Sequence, residues 1–313
     1  MDYLFLGIGI VLLLLGGDWL VKGAVAVALR AKISLLVVGM TVVSLATSAP
    51  ELLVSLTAAL DGHVDISFGN ILGSNMANIS LVLGITALIY PTTVEKQTIT
   101  RDYWIMFAVS ALLLLFLWDG LLASWEGALF IILLGFFFFY QIKSSSNSDI
   151  PEEVSSASRL RLPWLIFYLI GGIGGLHFGS DLLIEGAVGI AERWGISQRI
   201  IGLTIVSIGT SLPELAACIM ASVRGQQGIS LGNLVGSNIF NILSVLGFTA
   251  LVLPLPVQNR GTFRLDFPWL FFIMVVLYIF IAFLGKGRIQ RWQGGVLLAL
   301  YIAYLGYLLI PGS

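Results

Sequence analysis

Two glutamates occupy equivalent positions in a thirteen-residue stretch that the sequence contains twice. Gly39–Glu51 reads GMTVVSLATSAPE and Gly202–Glu214 reads GLTIVSIGTSLPE, with eight of the thirteen positions identical at an offset of 163 residues. Hydroxyl side chains stand three, four and seven positions before each glutamate, on the same face of a predicted helix. They are Ser48, Thr47 and Ser44 in the first copy and Ser211, Thr210 and Ser207 in the second. Carboxylate and hydroxyl oxygens together predict a site for a hard cation such as sodium or calcium.

A proline stands immediately before each glutamate, at Pro50 and Pro213. Proline removes a backbone donor, and its ring crowds the carbonyl four residues earlier, which for Pro50 is that of Ala46. We therefore expect a kink in each helix. Within an apolar segment, carbonyls freed by a kink are tolerated only where they face protein or a water-filled cavity. The kinks would add backbone oxygens to the same cation site.

A second pair of stretches repeats with the same offset. GNILGSNMANI (Gly69–Ile79) corresponds to GNLVGSNIFNI (Gly232–Ile242). Glycine lets backbones approach closely, while serine and asparagine supply neutral oxygens. The pairs that lie four residues apart on one helical face are Ser74 with Asn78 and Ser237 with Asn241. For any single serine, packing through a bond to the i−4 carbonyl is an equal alternative.

The glutamates are harder to explain by packing. A carboxylate at the middle of a bilayer costs roughly 2.5–3.5 kcal/mol on insertion scales. Two of them at equivalent positions of a duplicated chain, Glu51 and Glu214, are therefore predicted to be functional.

The composition places these motifs in a membrane. Of the 313 residues, 58 % are hydrophobic and 11 % are charged, and the mean hydropathy is +0.99. The net charge of -1 gives no reason to expect nucleic acid as a partner. One cysteine, Cys218, rules out a disulfide framework or a cysteine metal cluster. We expect lipid around the chain, no cofactor and no obligate protein partner.

The apolar runs predict an all-α integral membrane protein with ten transmembrane helices. The predicted spans are 3–28, 34–60, 66–90, 103–118, 123–142, 163–190, 197–222, 229–254, 267–285 and 292–311. The first five fall in residues 1–142 and the last five in 163–313, with a polar, serine-rich linker at 143–162. An odd number of spans in each half turns the second half over, so the duplication predicts two inverted five-helix repeats.

Basic residues predict the orientation. With the N-terminus outside, the inner loops hold eleven lysines and arginines and the outer loops four, leaving aside Lys22 within the first span. We therefore expect a multi-pass protein of the plasma (inner) membrane, with both termini outside the cytoplasm and the linker inside.

The paired motifs, SLATSAPE with GNILGSNMAN and SIGTSLPE with GNLVGSNIFN, resemble those of the sodium/calcium exchanger branch of the calcium/cation antiporter superfamily. The likeness covers the whole chain and is closest to the compact prokaryotic members. It implies a secondary antiporter, not an enzyme, that exchanges sodium for calcium by alternating access, with the first and sixth spans sliding as a gating pair. Calcium and sodium are then substrates and not cofactors.

The resemblance also implies roles for individual residues. Glu51 and Glu214, with the backbone carbonyls of Thr47 and Thr210, would bind calcium, and Asn78 and Asn241 would complete the centre of the site. The sodium subsites would draw on Ser44, Thr47, Ser48 and Ser74 and on their counterparts Ser207, Thr210, Ser211 and Ser237.

Other functions stay open to different degrees. A calcium/proton antiporter would use the same glutamates, since carboxylates titrate, although a proton route needs no hydroxyl-rich subsites. A cation channel fits inverted repeats less well. An intramembrane enzyme lacks support, because the only histidines, His63 and His177, stand beside neither motif. Asp18 and Lys22, four residues apart, predict an ion pair within one helix, with a role of Asp18 and Asp181 in gating as the alternative.

Overall fold

The computed structural model describes residues 1–145, 160–195, 207–257, 261–285 and 287–308, with Ser207 described by its backbone only. Eleven helices of ten or more residues lie in these ranges. They are α1 Asp2–Ala31, α2 Leu35–Thr47, α3 Ala49–Leu60, α4 Val64–Ile89, α5 Thr98–Asp119, α6 Ser124–Ser145, α7 Leu162–Arg193, α8 Leu212–Val223, α9 Gln227–Val252, α10 Thr262–Leu284 and α11 Arg291–Leu308. Among the described residues, seven helices are long and apolar enough to cross a membrane, and the bent pair α2–α3 makes an eighth if it counts as one span. The chain is a helical membrane protein, as predicted.

The predicted kink lies at Ser48. Helix α2 ends at Thr47 and α3 begins at Ala49, and the two axes are bent by 44°. Pro50 lies in the first turn of α3, where its missing N–H costs no helical hydrogen bond. The second repeat has the same local geometry: Ser211 has φ −91° and ψ 3°, against −90° and 7° at Ser48, and Pro213 lies in the first turn of α8. Most of the helix that we expect before Ser211 lies outside the described residues.

Helices α4 and α9 form the centre of the molecule. In each of them, 83 % of the most apolar 18-residue stretch is buried, compared with 33 % of that stretch in α1 and 22 % in α7. Both central helices widen into a π-helical turn at equivalent places, Asn78–Val82 and Asn241–Leu246. A π-turn interrupts the regular backbone hydrogen bonds and often marks a functional site. The matched asparagines therefore begin a distorted turn in the most buried helices.

The two halves of the chain interlock around this centre. A Cβ added to Gly84 of α4 would lie 3.0 Å from the carbonyl oxygen of Gly294 on α11. Its counterpart 163 residues later is Gly247 of α9, which contacts Gly127 of α6. A Cβ added to Gly127 would lie 2.7 Å from the carbonyl oxygen of Gly247. Each central helix thus packs against the last helix of the opposite half.

Two short antiparallel strand pairs also join the halves. Thr92–Thr93 pairs with Arg288–Ile289, and Leu121–Leu122 pairs with Leu255–Pro256. These strands were not predictable from the sequence, because two residues are too few to show an alternating pattern. They satisfy backbone groups where the chain leaves one helix and enters the next.

Helices α1 and α7 pack closely against each other at the edge of the bundle. A Cβ added to Gly16 of α1 would lie 2.6 Å from the backbone nitrogen of Leu176, and one added to Gly179 of α7 would lie 2.7 Å from that of Leu13. Small residues allow this backbone contact, as in other membrane helix pairs. The two longest helices thus form one closely packed pair, referred to below as the α1–α7 pair.

Replacing Gly16 with alanine should destabilise this pair. The added methyl would overlap backbone atoms that have no flexible side chain to move aside, which costs about 1–3 kcal/mol in a packed interior. We expect a lower melting temperature for Gly16→Ala in detergent. Gly7→Ala on the same helix is the control, because nothing lies within 4 Å of its added Cβ. Equal melting temperatures for the two variants would contradict the close contact.

Candidate cation-binding site

The two glutamates are buried at the start of equivalent helices. Glu51 and Glu214 each expose only 1 % of their surface and lie in the first turns of α3 and α8. The two elements meet, because Ser48, at the break just before α3, contacts the carboxylate of Glu214. The N-terminus of a helix carries a partial positive charge, so each helix offsets part of the cost of burying its own carboxylate. The predicted pair is therefore brought together, one residue from each half.

Ser48 links the two halves through a carboxylate. Its hydroxyl donates a hydrogen bond to Oε1 of Glu214 at 3.2 Å. The other three carboxylate oxygens, both of Glu51 and Oε2 of Glu214, have no hydrogen-bond partner among the described residues. The hydroxyl of Ser211, which is the counterpart of Ser48, has none there either. Buried acceptors without donors are costly, and a bound cation would satisfy them.

Asn78 and Asn241 lie in the same buried region. Both amide atoms of Asn78 and Oδ1 of Asn241 lack a partner among the described residues, so these oxygens are available to a cation. Asn75 holds Asn241 in place by accepting a bond from its Nδ2 at 3.1 Å. Asn75 in turn donates to the carbonyl of Asn238 at 3.2 Å. The motifs contained both Asn75 and Asn238, but their repetition alone could not show that they bridge the two halves.

Two further asparagines, Asn70 and Asn233, were not predicted as site residues. They are the second residues of the two repeated stretches. The hydroxyl of Thr47 donates to Oδ1 of Asn233 at 3.1 Å and lies 3.4 Å from Oγ of Ser237. Asn70 donates from Nδ2 to the backbone carbonyl of Glu51 at 3.3 Å. Asn70 therefore holds α3, and Asn233 holds the end of α2 beside the break, against the central helices. The sequence did contain a signal for them, because asparagine occupies this position in both copies of the repeat.

The remaining predicted residues differ in what their side chains contact. Ser44 is buried, and its hydroxyl donates to the carbonyl of Met40 at 2.7 Å, which is the i−4 bond of the packing alternative. Ser74 and Ser237 are buried in α4 and α9. Thr210 is half-buried beside the break before α8. The side chain of Ser207 lies outside the described residues.

An ion pair joins α1 to the end of α8. Asp18 pairs with Lys22 at 2.9 Å, as predicted, and also with Arg224, which the sequence analysis did not connect to it. Asp181, the repeat counterpart of Asp18, instead lies 3.6 Å from Nε2 of His177, with both side chains about half exposed. Cys218 is buried and donates to the carbonyl of Ser230, as expected for a packing residue.

The donor set suits a hard cation. Within the described ranges, no three histidine, cysteine, aspartate or glutamate side chains come together as a metal cluster. At a cation site here, the two carboxylates would supply the charge, and hydroxyl, amide and backbone oxygens would supply the other ligands. Sodium and calcium accept such oxygen sets, whereas zinc and copper favour nitrogen and sulfur.

Calcium should raise the melting temperature of the protein through these glutamates. A ligand at 100 times its dissociation constant stabilises the native state by about 2.7 kcal/mol, or several degrees. Glu51→Gln and Glu214→Gln should each lose most of this shift. Glu126→Gln is the control: Glu126 is also buried, but its carboxylate accepts from the backbone nitrogen of Ala123 at 2.8 Å. An undiminished calcium shift in both site variants would exclude the glutamates as ligands.

Comparisons with known proteins agree with this arrangement. The family model for the sodium/calcium exchanger protein matches residues 1–143 and 164–310. The chain is 38 % identical over 308 residues to a putative antiporter, CaxA, of Alkalimonas amylolytica, covering 96 % of each chain. It is 32 % identical over 343 residues to the sodium/calcium exchanger MaX1 of Methanosarcina acetivorans, covering 97 % of each. A solved structure of the sodium-calcium exchanger NCX_Mj superposes with a TM-score of 0.83 at 32 % identity, covering 98 % of each chain. On the match of both halves, the chain belongs to the sodium/calcium exchanger family.

Proposed function

We propose that this protein is a secondary antiporter that exchanges sodium for calcium by alternating access, with both ions bound at the buried glutamates. The observation that carries the proposal is the pairing of Glu51 and Glu214. One carboxylate comes from each half, and three of the four oxygens have no hydrogen-bond partner among the described residues. A buried pair of this kind favours a bound cation.

The charge of the pair explains why two kinds of ion would exchange. Two carboxylates carry a charge of about −2 when ionised, which one calcium ion or two or more sodium ions balance. Neighbouring subsites share the same carboxylates, so calcium and several sodium ions exclude one another. Mutually exclusive binding is what couples the movement of one ion to that of the other.

The ligands follow from the broken helices. Glu51 and Glu214 bind calcium together with the backbone carbonyls of Thr47 and Thr210, next to the breaks. Asn78 and Asn241 complete the centre. The sodium subsites draw on Ser44, Thr47, Ser48 and Ser74 and on Ser207, Thr210, Ser211 and Ser237. The hydroxyl of Ser48, 3.2 Å from Glu214, supports this arrangement because it already lies beside a carboxylate of the other repeat.

The proposed architecture is ten transmembrane helices in two inverted five-helix repeats, 1–142 and 163–313. It is supported by the constant offset of 163 residues and by the matched breaks at Ser48 and Ser211. We place the protein in the plasma (inner) membrane, with both termini outside and the linker 143–162 in the cytoplasm, because basic residues are concentrated on that side.

Access would alternate by movement of the α1–α7 pair against the central helices, with the ion pair between Asp18 and Arg224 holding the cytoplasmic side closed. This contact is one-sided. The offset of 163 residues maps Asp18 onto Asp181 and Arg224 onto Asp61, so the equivalent place in the other half holds two acidic residues. An ion pair of this kind therefore cannot form there.

A sodium gradient should drive calcium uptake into vesicles that contain the purified protein. Glu51→Gln and Glu214→Gln should reduce the initial rate of radiolabelled calcium uptake at least about 100-fold, since each leaves one buried charge unbalanced. Glu126→Gln, the buried glutamate outside the site, should keep most of the activity.

The same vesicles separate the two antiporter hypotheses. Uptake that responds only to a pH gradient and is indifferent to sodium would refute sodium exchange and favour calcium/proton exchange at the same glutamates. Uptake that needs no countergradient and saturates with neither ion would indicate a channel and refute both.

Arg224→Gln should loosen the cytoplasmic closure. Salt bridges near the surface contribute about 0.2–1 kcal/mol, so the open fraction should rise by up to about fivefold. The probe is the cysteine introduced by Ala217→Cys in a Cys218→Ser background. Ala217 is buried and shares an apolar cluster with Leu13 and Leu20 of α1. Its maleimide labelling from the cytoplasmic side should accelerate.

Lys22→Gln is the matched control for this experiment. Lys22 also pairs with Asp18, but both residues lie on α1, so removing that bond should leave the contact between helices intact. Equal acceleration in Lys22→Gln and Arg224→Gln, or none in either, would refute a closure held by Arg224.

A further inference from the structure

Two adjoining cavities lie where α1 ends and α7 begins. Neither Glu51 nor Glu214 lines them. One has a volume of about 330 Å³ and the other about 340 Å³. They share three lining residues, Ala26, Leu29 and Leu160, and so form one continuous groove. We refer to it as the α1–α7 groove.

The end of this groove is strongly basic. Arg30, Lys32 and Arg161 line the first cavity, and all three are exposed. Among the described residues, no carboxylate forms an ion pair with any of them. Lys22 and Arg224 line the second cavity and share the single carboxylate of Asp18. Cations thus outnumber carboxylates around the groove, which favours an anionic ligand.

The start of α7 adds to the positive potential. Arg161 is the N-cap residue of this 32-residue helix, and no side chain there caps the first backbone N–H groups. The unsatisfied N–H groups of a helix start attract anions, phosphate in particular. The helix end and the three cations therefore favour the same chemical group at the same place.

The second cavity is mainly apolar and extends the groove along α1. Val21, Val25 and Leu29 line it on one side, and Tyr168 of α7 lines it as well. Trp164 and Phe167, on the first turns of α7, are about half exposed. Aromatic side chains of this kind are enriched where membrane helices meet the headgroup layer. A basic pocket that continues into an apolar slot at this level matches a lipid better than a free anion.

We propose that the α1–α7 groove binds one anionic phospholipid, with its phosphate at Arg30, Lys32 and Arg161 and an acyl chain along Val21, Val25 and Leu29. Basic pockets between membrane helices on the cytoplasmic side are known to hold such headgroups. The binding itself does not depend on the proposed exchange of ions. Because the lipid would contact both helices of the α1–α7 pair, its binding would also strengthen their association.

The test uses the full-length protein in a neutral detergent, with phosphatidylglycerol or phosphatidylcholine added at equal concentration. Native mass spectrometry counts retained lipid, and the melting temperature reports stabilisation. Wild type should retain one phosphatidylglycerol per chain in preference to phosphatidylcholine. In the triple variant Arg30→Gln/Lys32→Gln/Arg161→Gln, the apparent affinity for phosphatidylglycerol should fall at least about tenfold, because each cation near a membrane surface contributes to anionic lipid binding. The single variant Arg161→Gln should show a smaller loss.

The control variant is Arg288→Gln/Arg291→Gln, which removes two exposed cations predicted for the same membrane side but outside the groove. It should retain lipid as wild type does. Equal retention by the triple variant and wild type would overturn the proposal. That result is also expected if the acidic residues of the chain's own linker, Asp149, Glu152 and Glu153, occupy the groove. Inorganic phosphate that stabilises wild type as well as phosphatidylglycerol does would overturn the assignment to a lipid.

Discussion

The burial of two carboxyl groups, which would repel each other when ionised, is the constraint on which the rest of this structure depends. Glu51 and Glu214 are almost fully buried, and among the described residues neither forms an ion pair with a lysine or arginine. The protein offsets part of the cost with the starts of two helices and with the hydroxyl of Ser48. These are neutral groups or partial charges, so under the proposed function the pair depends on a bound cation. A lysine in the same place would have stabilised the fold and removed that dependence.

The same constraint explains the buried asparagines. A site that binds and releases ions needs neutral ligands whose positions do not change when the ion leaves. Asn70 holds the helix that carries Glu51, Asn233 holds the end of α2 beside the break, and Asn75 holds Asn241. These contacts run between helices, and several run between the two halves. The carboxylates therefore lie in a framework that is held largely by amide groups and by the interlocked central helices.

The duplication made the residues of this site predictable. Where the sequence has no repeated motif, it predicted less. Glu51, Ser48 and Pro50 stood out because a polar pattern occurred twice in apolar sequence, and the bend at Ser48 confirmed the effect expected of Pro50. Partners were not predictable, because a repeat shows which residues matter and not which residues touch. The contact of Arg224 with Asp18 joins residues 206 positions apart. The span predicted to begin at 103 begins at Thr98 as helix α5. The segment TITRD is too polar to be recognised as membrane sequence, but it forms a π-helical turn at the start of this helix.

The proposed inverted repeat would provide two access routes, and small departures from symmetry would determine how they differ. If the two halves were identical, the states open to either side would have the same energy in a symmetric membrane. Here Arg224 faces Asp18 at one place, whereas Asp61 and Asp181 are the corresponding residues at the other. In the proposed alternating-access cycle, one route would therefore gain an ion pair when it closes, and the other would gain none. The glutamates would be shared by both routes and could not produce this bias. Under the proposed function, ion selectivity and the resting direction of access would thus be set by separate residues, and each could change in evolution without the other.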